Sequence, residues 1–238
     1  TKRAYEKVAE FSARLKEPGE INPQKFLEEI EQARSVCAHL LGAEPDSICF
    51  VRSTSFGISL VASGLRWKQG DNIITYSREF PANIYPWLNI AKKGVEIRLI
   101  PERDGRIVFE DIEKLVNSRT RLIAISSVQF TNGFRIDLKR LSEFCRARGI
   151  LLLVDAIQSL GIIPFYLAET PVDFVCADGH KWLLSFEGMG ILYINPRLID
   201  ELDLHIVGWN SVVDAHDFLN YNFQLRPDAR RFEEGSYN

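Results

Sequence analysis

The hydrophobic positions of this chain fall into short continuous runs, separated by longer segments in which apolar residues recur with a helical period. Seven runs predict β-strands: Ile48–Val51, Asn72–Tyr76, Val95–Ile100, Arg121–Ser126, Ile150–Val154, Asp173–Ala177 and Gly190–Ile194. The runs are mostly apolar throughout, which is typical of strands that are buried on both faces. The pattern therefore predicts an α/β fold with a mainly parallel seven-stranded sheet between helices.

The segments between these runs predict helices, several of which have capping residues at their starts. The predicted helices are Pro23–Leu41, Phe56–Arg66, Ile84–Lys93, Phe109–Asn117 and Asp137–Arg148. No internal repeat and no linker divides residues 40–200. We therefore expect an N-terminal helical segment over residues 1–42 and one large α/β domain over residues 43–238.

Composition and charge narrow the possible partners. The chain has 238 residues, of which 46% are hydrophobic and 26% charged, and its formal net charge is −3. This balance gives no basic surface for nucleic acid or for an anionic membrane. The first 20 residues carry charges throughout, and no apolar run approaches the roughly 20 residues of a membrane helix. We expect a cytoplasmic protein that binds neither nucleic acid nor membrane.

The cysteine and histidine positions predict neither a disulfide framework nor a metal site. The four cysteines contain no Cys-x-x-Cys pair and suit a reducing compartment. His39, His205 and His216 lack the spacing of metal ligands. We therefore expect buried or inert thiols and no metal.

Polar residues with reactive side chains follow three of the predicted strands. Asp155 follows Val154, Lys181 comes shortly after Ala177, and a polar turn over residues 52–57 follows Val51. Ligands of open α/β sheets bind outside the carboxyl ends of the strands. Taken alone, each position has an ordinary explanation, as a helix cap or as a surface lysine.

Together, the three positions meet the needs of pyridoxal phosphate. A lysine amine forms a Schiff base with its aldehyde, and a carboxylate keeps its pyridine nitrogen protonated. Hydroxyl and N–H groups at a helix N-terminus bind its phosphate. The sequence therefore predicts an enzyme that uses pyridoxal 5′-phosphate as its cofactor.

Five segments resemble the class V aminotransferase family of fold-type I pyridoxal-phosphate enzymes. That family includes cysteine desulfurases, selenocysteine lyases, isopenicillin N epimerase and kynureninase. The segments are Arg52–Gly57, Glu79–Trp87, Asp155–Gln158, Ala177–Trp182 and Phe232–Asn238. The resemblance runs through nearly the whole chain and implies the large cofactor-binding domain of fold type I. It also implies that the small C-terminal domain of the family lies outside this chain.

The resemblance implies a role for each residue around the cofactor ring. Lys181 is expected to be the Schiff-base lysine and Asp155 the partner of the pyridine nitrogen. Gln158 is expected to hydrogen-bond the phenolic oxygen. Phe80 falls where desulfurase-like members place a histidine that stacks on the ring, so stacking is retained but acid/base function is not.

Further roles concern the phosphate and the assembly. The resemblance implies that Thr54, Ser55 and His180 hold the phosphate. It also implies that Ser236 completes the cofactor site of a twofold-related partner, since a twofold interface places the same segment in both sites. The active enzyme is then a homodimer with shared sites, and its small-molecule substrate is an amino acid.

Departures from the family pattern bear on the reaction. Phe130 stands where desulfurases carry an asparagine, Asp178 replaces a phosphate-binding serine, and no cysteine matches the nucleophilic loop of desulfurases. Residues 128–130 and 177–182 look closer to the isopenicillin N epimerase-like branch. We therefore place that branch first and a cysteine desulfurase or selenocysteine lyase second. Epimerase, lyase and transaminase chemistry stay open. A protein or fragment of the same fold that binds the cofactor without catalysis is the alternative from another class.

Overall fold

The structure, a computed structural model, describes residues 1–14 and 22–237. Residues 15–21 and Asn238, the last residue of the predicted C-terminal motif, lie outside the described residues. The α-helices are α1 (Lys2–Arg14), α2 (Pro23–Leu41), α3 (Thr54–Gly64), α4 (Tyr85–Ala91), α5 (Phe109–Leu115) and α6 (Leu138–Arg148). The strands are β1 (Ile48–Val51), β2 (Asn72–Tyr76), β3 (Glu96–Ile100), β4 (Thr120–Ser126), β5 (Leu151–Asp155), β6 (Phe174–Asp178) and β7 (Gly190–Ile194).

The seven strands form one sheet in the order β1-β7-β6-β5-β4-β2-β3. The pairs from β6 to β3 are parallel, whereas β7 runs antiparallel to both β6 and β1. The mainly parallel seven-stranded sheet is thus confirmed. Because β1 has the same direction as β4, β5 and β6, these four strands end at one edge of the sheet, which positions the site.

Apolar residues cover both faces of the sheet. Side chains that alternate along each strand fall into two separate buried clusters, so that Val154 belongs to one cluster and Leu153 to the other. This arrangement explains why the strands are continuous apolar runs. Among the described helices, none is both long enough and apolar enough to cross a membrane.

Two strands extend one residue further toward the site than the sequence predicts. Asp155 and Asp178 are the last residues of β5 and β6, where the hydrophobic pattern ends each strand one residue earlier. Asp155 is still paired with Ser126 of β4 and with Cys176 of β6. Backbone pairing therefore fixes both carboxyl-bearing residues, because ladder hydrogen bonds do not depend on side-chain polarity.

Helix α3 begins two residues earlier than predicted. Ser53 caps it, since the Ser53 hydroxyl accepts a hydrogen bond from the Phe56 N–H at 3.1 Å. Thr54 and Ser55 therefore lie in the first turn, where the N–H groups of a helix are free for ligands.

Candidate functional site

A cavity of about 350 Å³ lies at the edge where β4, β5 and β6 end, beside the N-terminus of α3. Its lining comes from several separate parts of the chain and consists of Ser53, Thr54, Ser55, Phe80, Ala82, Ser126, Phe130, Asp155, Ile157, Gln158, Asp178, His180 and Lys181. The structure thus brings together every predicted site residue except Ser236. Other cavities are as large or larger, so chemistry and not volume distinguishes this one.

Asp155 carries a carboxyl group into the floor of this cavity. The residue is buried, and its Oδ1 accepts a hydrogen bond from the Ile157 N–H at 3.0 Å. Burial and, to a smaller extent, the nearby Glu79 carboxylate raise the pKa of Asp155 to about 7, against the opposing effects of the Ile157 N–H and Lys181. The carboxyl therefore lies in surroundings that favour a cationic N–H group beside it.

Glu79 is a second buried acid close to the cavity, and its role was not predictable from the sequence. Its carboxylate accepts hydrogen bonds from the Ser126 N–H at 2.7 Å, from the Ser126 hydroxyl and from Gln129 Nε2 at 2.9 Å. Burial raises the pKa of Glu79. In the sequence, Glu79 is recognisable only as an acidic residue between the end of β2 and Phe80. The contacts fix the end of β4 next to Asp155.

Lys181 lies in the turn that follows β6. Its Nζ is 6.0 Å from the centroid of the Phe80 ring. The Phe80 and Phe130 rings meet edge to face, with centroids 5.2 Å apart and an interplanar angle of 83°. Both aromatic side chains are exposed in this chain. They form an apolar wall next to the lysine amine.

The first turn of α3 is held against β6. Thr54 is buried, and its hydroxyl oxygen accepts a hydrogen bond from the Asp178 N–H at 2.9 Å. Gly57 permits the close approach, since a Cβ at this position would lie 2.4 Å from Cys176 Sγ. The contacts orient the N-terminus of α3 toward the cavity, and the Thr54 hydroxyl keeps its own proton to donate.

Asp178 and His180 form a pair on the same side of the cavity. Asp178 is buried, and its Oδ1 lies 2.9 Å from His180 Nδ1. An ionised carboxylate only accepts hydrogen bonds, so Nδ1 of His180 is the donor. The other ring nitrogen, Nε2, is not part of this contact.

Ser236 lies apart from this cavity. It lines a separate cavity of about 310 Å³ with residues of β1, with Gly188 and Met189, and with the rest of the segment 233–237. Glu233 anchors the segment through a buried ion pair with Arg34. A single chain does not test whether Ser236 reaches a partner's site, so this stays a prediction.

Within residues 1–14 and 22–237, no group of three or more His, Cys, Asp and Glu side chains is placed to hold a metal ion. All four cysteines are free, and Cys49, Cys145 and Cys176 are buried. No cysteine lines the candidate cavity.

Comparisons with known proteins agree with this geometry. A family model described as aminotransferase class-V matches residues 12–238. A probable cysteine desulfurase of Methanothermobacter thermautotrophicus is 31% identical over 88% of this chain and 52% of its own length. The isopenicillin N epimerase of Streptomyces clavuligerus is 32% identical over 87% of this chain and 53% of its own. The chain spans about half the length of these curated relatives.

A solved structure extends the comparison to three dimensions. A C-DES mutant with glycine covalently linked to the PLP cofactor superimposes with a TM-score of 0.90 at 25% sequence identity. The match covers 98% of this chain and 63% of that one. The whole described fold therefore has a counterpart in a protein that holds pyridoxal phosphate.

Proposed function

The chain belongs to the class-V aminotransferase family, and from this premise we propose that its cavity binds pyridoxal 5′-phosphate and that the protein acts on an amino acid. One observation carries the proposal. A single cavity collects a lysine amine, a buried carboxyl group and the hydroxyl-bearing first turn of a helix. These are the three partners that the aldehyde, the pyridine nitrogen and the phosphate of the cofactor require.

The chemistry of the donor set fits the cofactor. Lys181 would bind the aldehyde, Asp155 the pyridine nitrogen, and Gln158 the phenolic oxygen. Thr54, Ser55 and His180 would hold the phosphate, and Phe80 would lie against the ring. The bound cofactor supplies an electron sink that stabilises negative charge on the amino-acid substrate.

The residues of this chain supply the conditions under which that chemistry proceeds. A cationic N–H beside Asp155 favours the ionised carboxylate, so the acid holds a proton on its partner nitrogen. Glu79 adds negative charge behind Asp155. Phe80 and Phe130 line one side of the cavity with apolar rings, and neither side chain accepts or donates a proton. Acid/base steps are therefore left to Lys181 and to residues outside this apolar wall.

Two classes of reaction on the amino acid are considered, that of the epimerase-like branch and that of the cysteine desulfurases. The apolar wall of Phe80 and Phe130 and the acid at position 178 support the epimerase-like branch. The names of relatives support a cysteine desulfurase well, because several of them carry that name at 31–33% identity, beside the isopenicillin N epimerase at 32%. A desulfurase reaction would need a nucleophilic cysteine from outside this cavity. Assay against a panel of amino acids with analysis of sulfide, keto-acid and racemised products separates the two.

The cofactor proposal is tested by mapping the lysine. The purified protein, mixed with pyridoxal phosphate and reduced with borohydride, is expected to carry the cofactor on the peptide that contains Lys181. Lys181→Ala should lose the adduct, whereas Lys93→Ala, which alters an exposed lysine, should keep it. An adduct on another lysine would contradict the assignment.

We also propose a homodimer in which Ser236 completes the partner's site, because Ser236 lies outside the cavity of its own chain. Sedimentation with and without cofactor gives the oligomeric state. Mixed dimers of Lys181→Ala and Ser236→Ala chains test whether Ser236 reaches the partner's site. If it does, the site with Lys181 from one chain and Ser236 from the other should recover cofactor affinity. If Ser236 acts within its own chain, the mixture recovers nothing.

A further inference from the structure

Asp178 is an unexpected side chain for a cavity that binds an anion. It lies at the end of β6 among the groups proposed to hold the phosphate, and only 7% of its surface is exposed. A carboxylate next to a phosphate is a like-charge contact, which is unfavourable where water is excluded. The contacts of Asp178 must therefore explain how an anion binds there.

Contacts with two residues, Thr54 and His180, define the position of Asp178. Its backbone N–H donates to Thr54 Oγ1 at 2.9 Å, which ties it to the first turn of α3. Its side-chain Oδ1 accepts from His180 Nδ1 at 2.9 Å and from the His180 N–H at 3.4 Å. The carboxylate is thus directed at the imidazole of His180.

The hydrogen-bond inventory of the imidazole then sets its charge when phosphate is bound. Nδ1 must be protonated, because its partner only accepts. A phosphate dianion also only accepts, so Nε2 must be protonated to bind it. A histidine with two N–H groups is the imidazolium cation. With a serine or an asparagine at position 178, a donor would face Nδ1, and the neutral ring would donate from Nε2.

We propose that Asp178 is a positioning residue that holds His180 by Nδ1 and thereby couples phosphate binding to the uptake of one proton by His180. The proposal rests on the cofactor function proposed above. Asp178 then does not contact the phosphate. It balances the charge of the imidazolium that does.

The other titratable side chains that line the cavity are Asp155, at the end of β5, and Lys181, in the same turn as His180. Glu79 lies behind Asp155. The lining residues contributed by α3 and its cap, Ser53, Thr54 and Ser55, carry no charge. Asp155 and Lys181 are assigned to the ring and the aldehyde of the cofactor, so a comparison of ligands that differ only in the phosphate removes their contributions.

The test uses 4-deoxypyridoxine 5′-phosphate and 4-deoxypyridoxine, which lack the aldehyde and so do not react with Lys181. The dissociation constant of 4-deoxypyridoxine divided by that of its 5′-phosphate reports the phosphate contribution. We measure this ratio by calorimetry or fluorescence from about pH 6.5 to 9.5. Over most of this range the phosphate ester is a dianion, since its second pKa is about 6. The ratio should fall by up to about tenfold per pH unit as His180 loses its second proton, because one proton is taken up on binding.

Variants at position 178 separate proton coupling from simple repulsion. Asp178→Ser and Asp178→Asn should bind the phosphate ligand with a ratio that no longer changes with pH. His180→Gln should also give a flat profile, with a lower ratio at every pH. The inference is overturned if the unmodified protein has a flat profile, or if Asp178→Ser keeps the slope. Repulsion alone predicts the first of these results, with tighter binding in Asp178→Ser. Absence of binding by either ligand would overturn the cofactor proposal itself, and this inference with it.

Discussion

Asp155 and Lys181 reach the same cavity from neighbouring segments, yet they meet different surroundings. Asp155 is buried at the end of β5, whereas Lys181 lies partly exposed in the turn after β6. A buried acid without a counter-charge reduces the stability of the folded state wherever it is ionised. In the cofactor-free protein, Asp155 is therefore a source of instability that the ligand would relieve.

The pKa of about 7 for Asp155, against 3.8 for the ordinary side chain, fixes the sign of the pH dependence. The folded state holds the Asp155 proton more tightly than the unfolded state does. The contribution of this proton to the free energy of unfolding is therefore complete below about pH 4 and is lost as the pH rises through 7. Asp155→Asn removes the ionisation but keeps the acceptor for the Ile157 N–H. Its stability relative to the unmodified protein should rise by about 3 kcal/mol between pH 5 and pH 8.

Urea denaturation of both cofactor-free proteins at the two pH values measures this difference. Asp217→Asn, at an exposed position, is the matched control and should show little change. Parallel pH profiles for Asp155→Asn and the unmodified protein would contradict the prediction. With pyridoxal phosphate bound, the order should reverse, because the amide lacks the negative charge that pairs with a pyridinium.

Helix α3 and strand β6 form the side of the cavity assigned to the phosphate. The two elements approach each other at Gly57, where an added methyl group would meet Cys176 Sγ at 2.4 Å. Both positions are buried, so neither element has room to yield without moving the first turn of the helix. The placement of Thr54 and Ser55 therefore depends on the absence of a side chain at position 57.

Gly57→Ala should destabilise the protein by about 1–3 kcal/mol, the usual cost of overpacking, and should weaken binding of the phosphate ligand. Cys176→Ala removes the opposing sulfur, so the double variant should recover much of the loss. Denaturation and ligand titration of the single and double variants measure the coupling. Cys145→Ala, at a buried thiol elsewhere, should give no recovery. Equal losses in the single and double variants would show that the sulfur is not the obstacle.

The helices and strands were predictable because their signal is local. Continuous apolar runs identified all seven strands, and the bounds of β1, β2 and β7 agree with the structure. The site residues that lie at or just after the end of a strand, such as Asp155 and Lys181, were predictable. The contact of Glu79 with Ser126 and that of Asp178 with Thr54 join residues far apart in the chain. No local pattern reports such pairs, so these roles required the fold.

A buried ion pair joins α2 to the C-terminal segment of the described residues. Arg34 of α2 binds Glu233 through two hydrogen bonds, one of them 3.0 Å from Nη2 to Oε2, and both side chains are inaccessible to water. Glu233 also accepts from the Tyr237 hydroxyl at 2.7 Å. The pair therefore places the segment that carries Ser236 relative to the sheet.

Glu233→Gln removes the buried carboxylate partner of Arg34 and leaves only the half-exposed Glu31 carboxylate, 3.1 Å from Nε. It should cost about 3 kcal/mol of stability. Arg34→Met combined with Glu233→Gln should cost less than Glu233→Gln alone, because no unpaired charge is left. Asp203→Asn, which breaks the exposed pair with Arg66, serves as a control and should cost about 1 kcal/mol or less. Chemical denaturation measures all four proteins. A double variant less stable than Glu233→Gln would contradict this account.

Strand β1 has consequences for the order in which the chain folds during its synthesis. In the sheet it pairs with β7 alone, and its outer edge is closed by side chains: Arg34 donates to the Ile48 carbonyl at 2.9 Å, and Glu233 accepts from the Phe50 N–H at 2.7 Å. An emerging chain therefore carries an apolar strand without its native partner until residues 190–194 have left the ribosome. The strand edge stays open to wrong pairing until Glu233 follows. The early part of the chain thus depends on the late part for its protection, and a chain stalled between the two would be a natural client for chaperones.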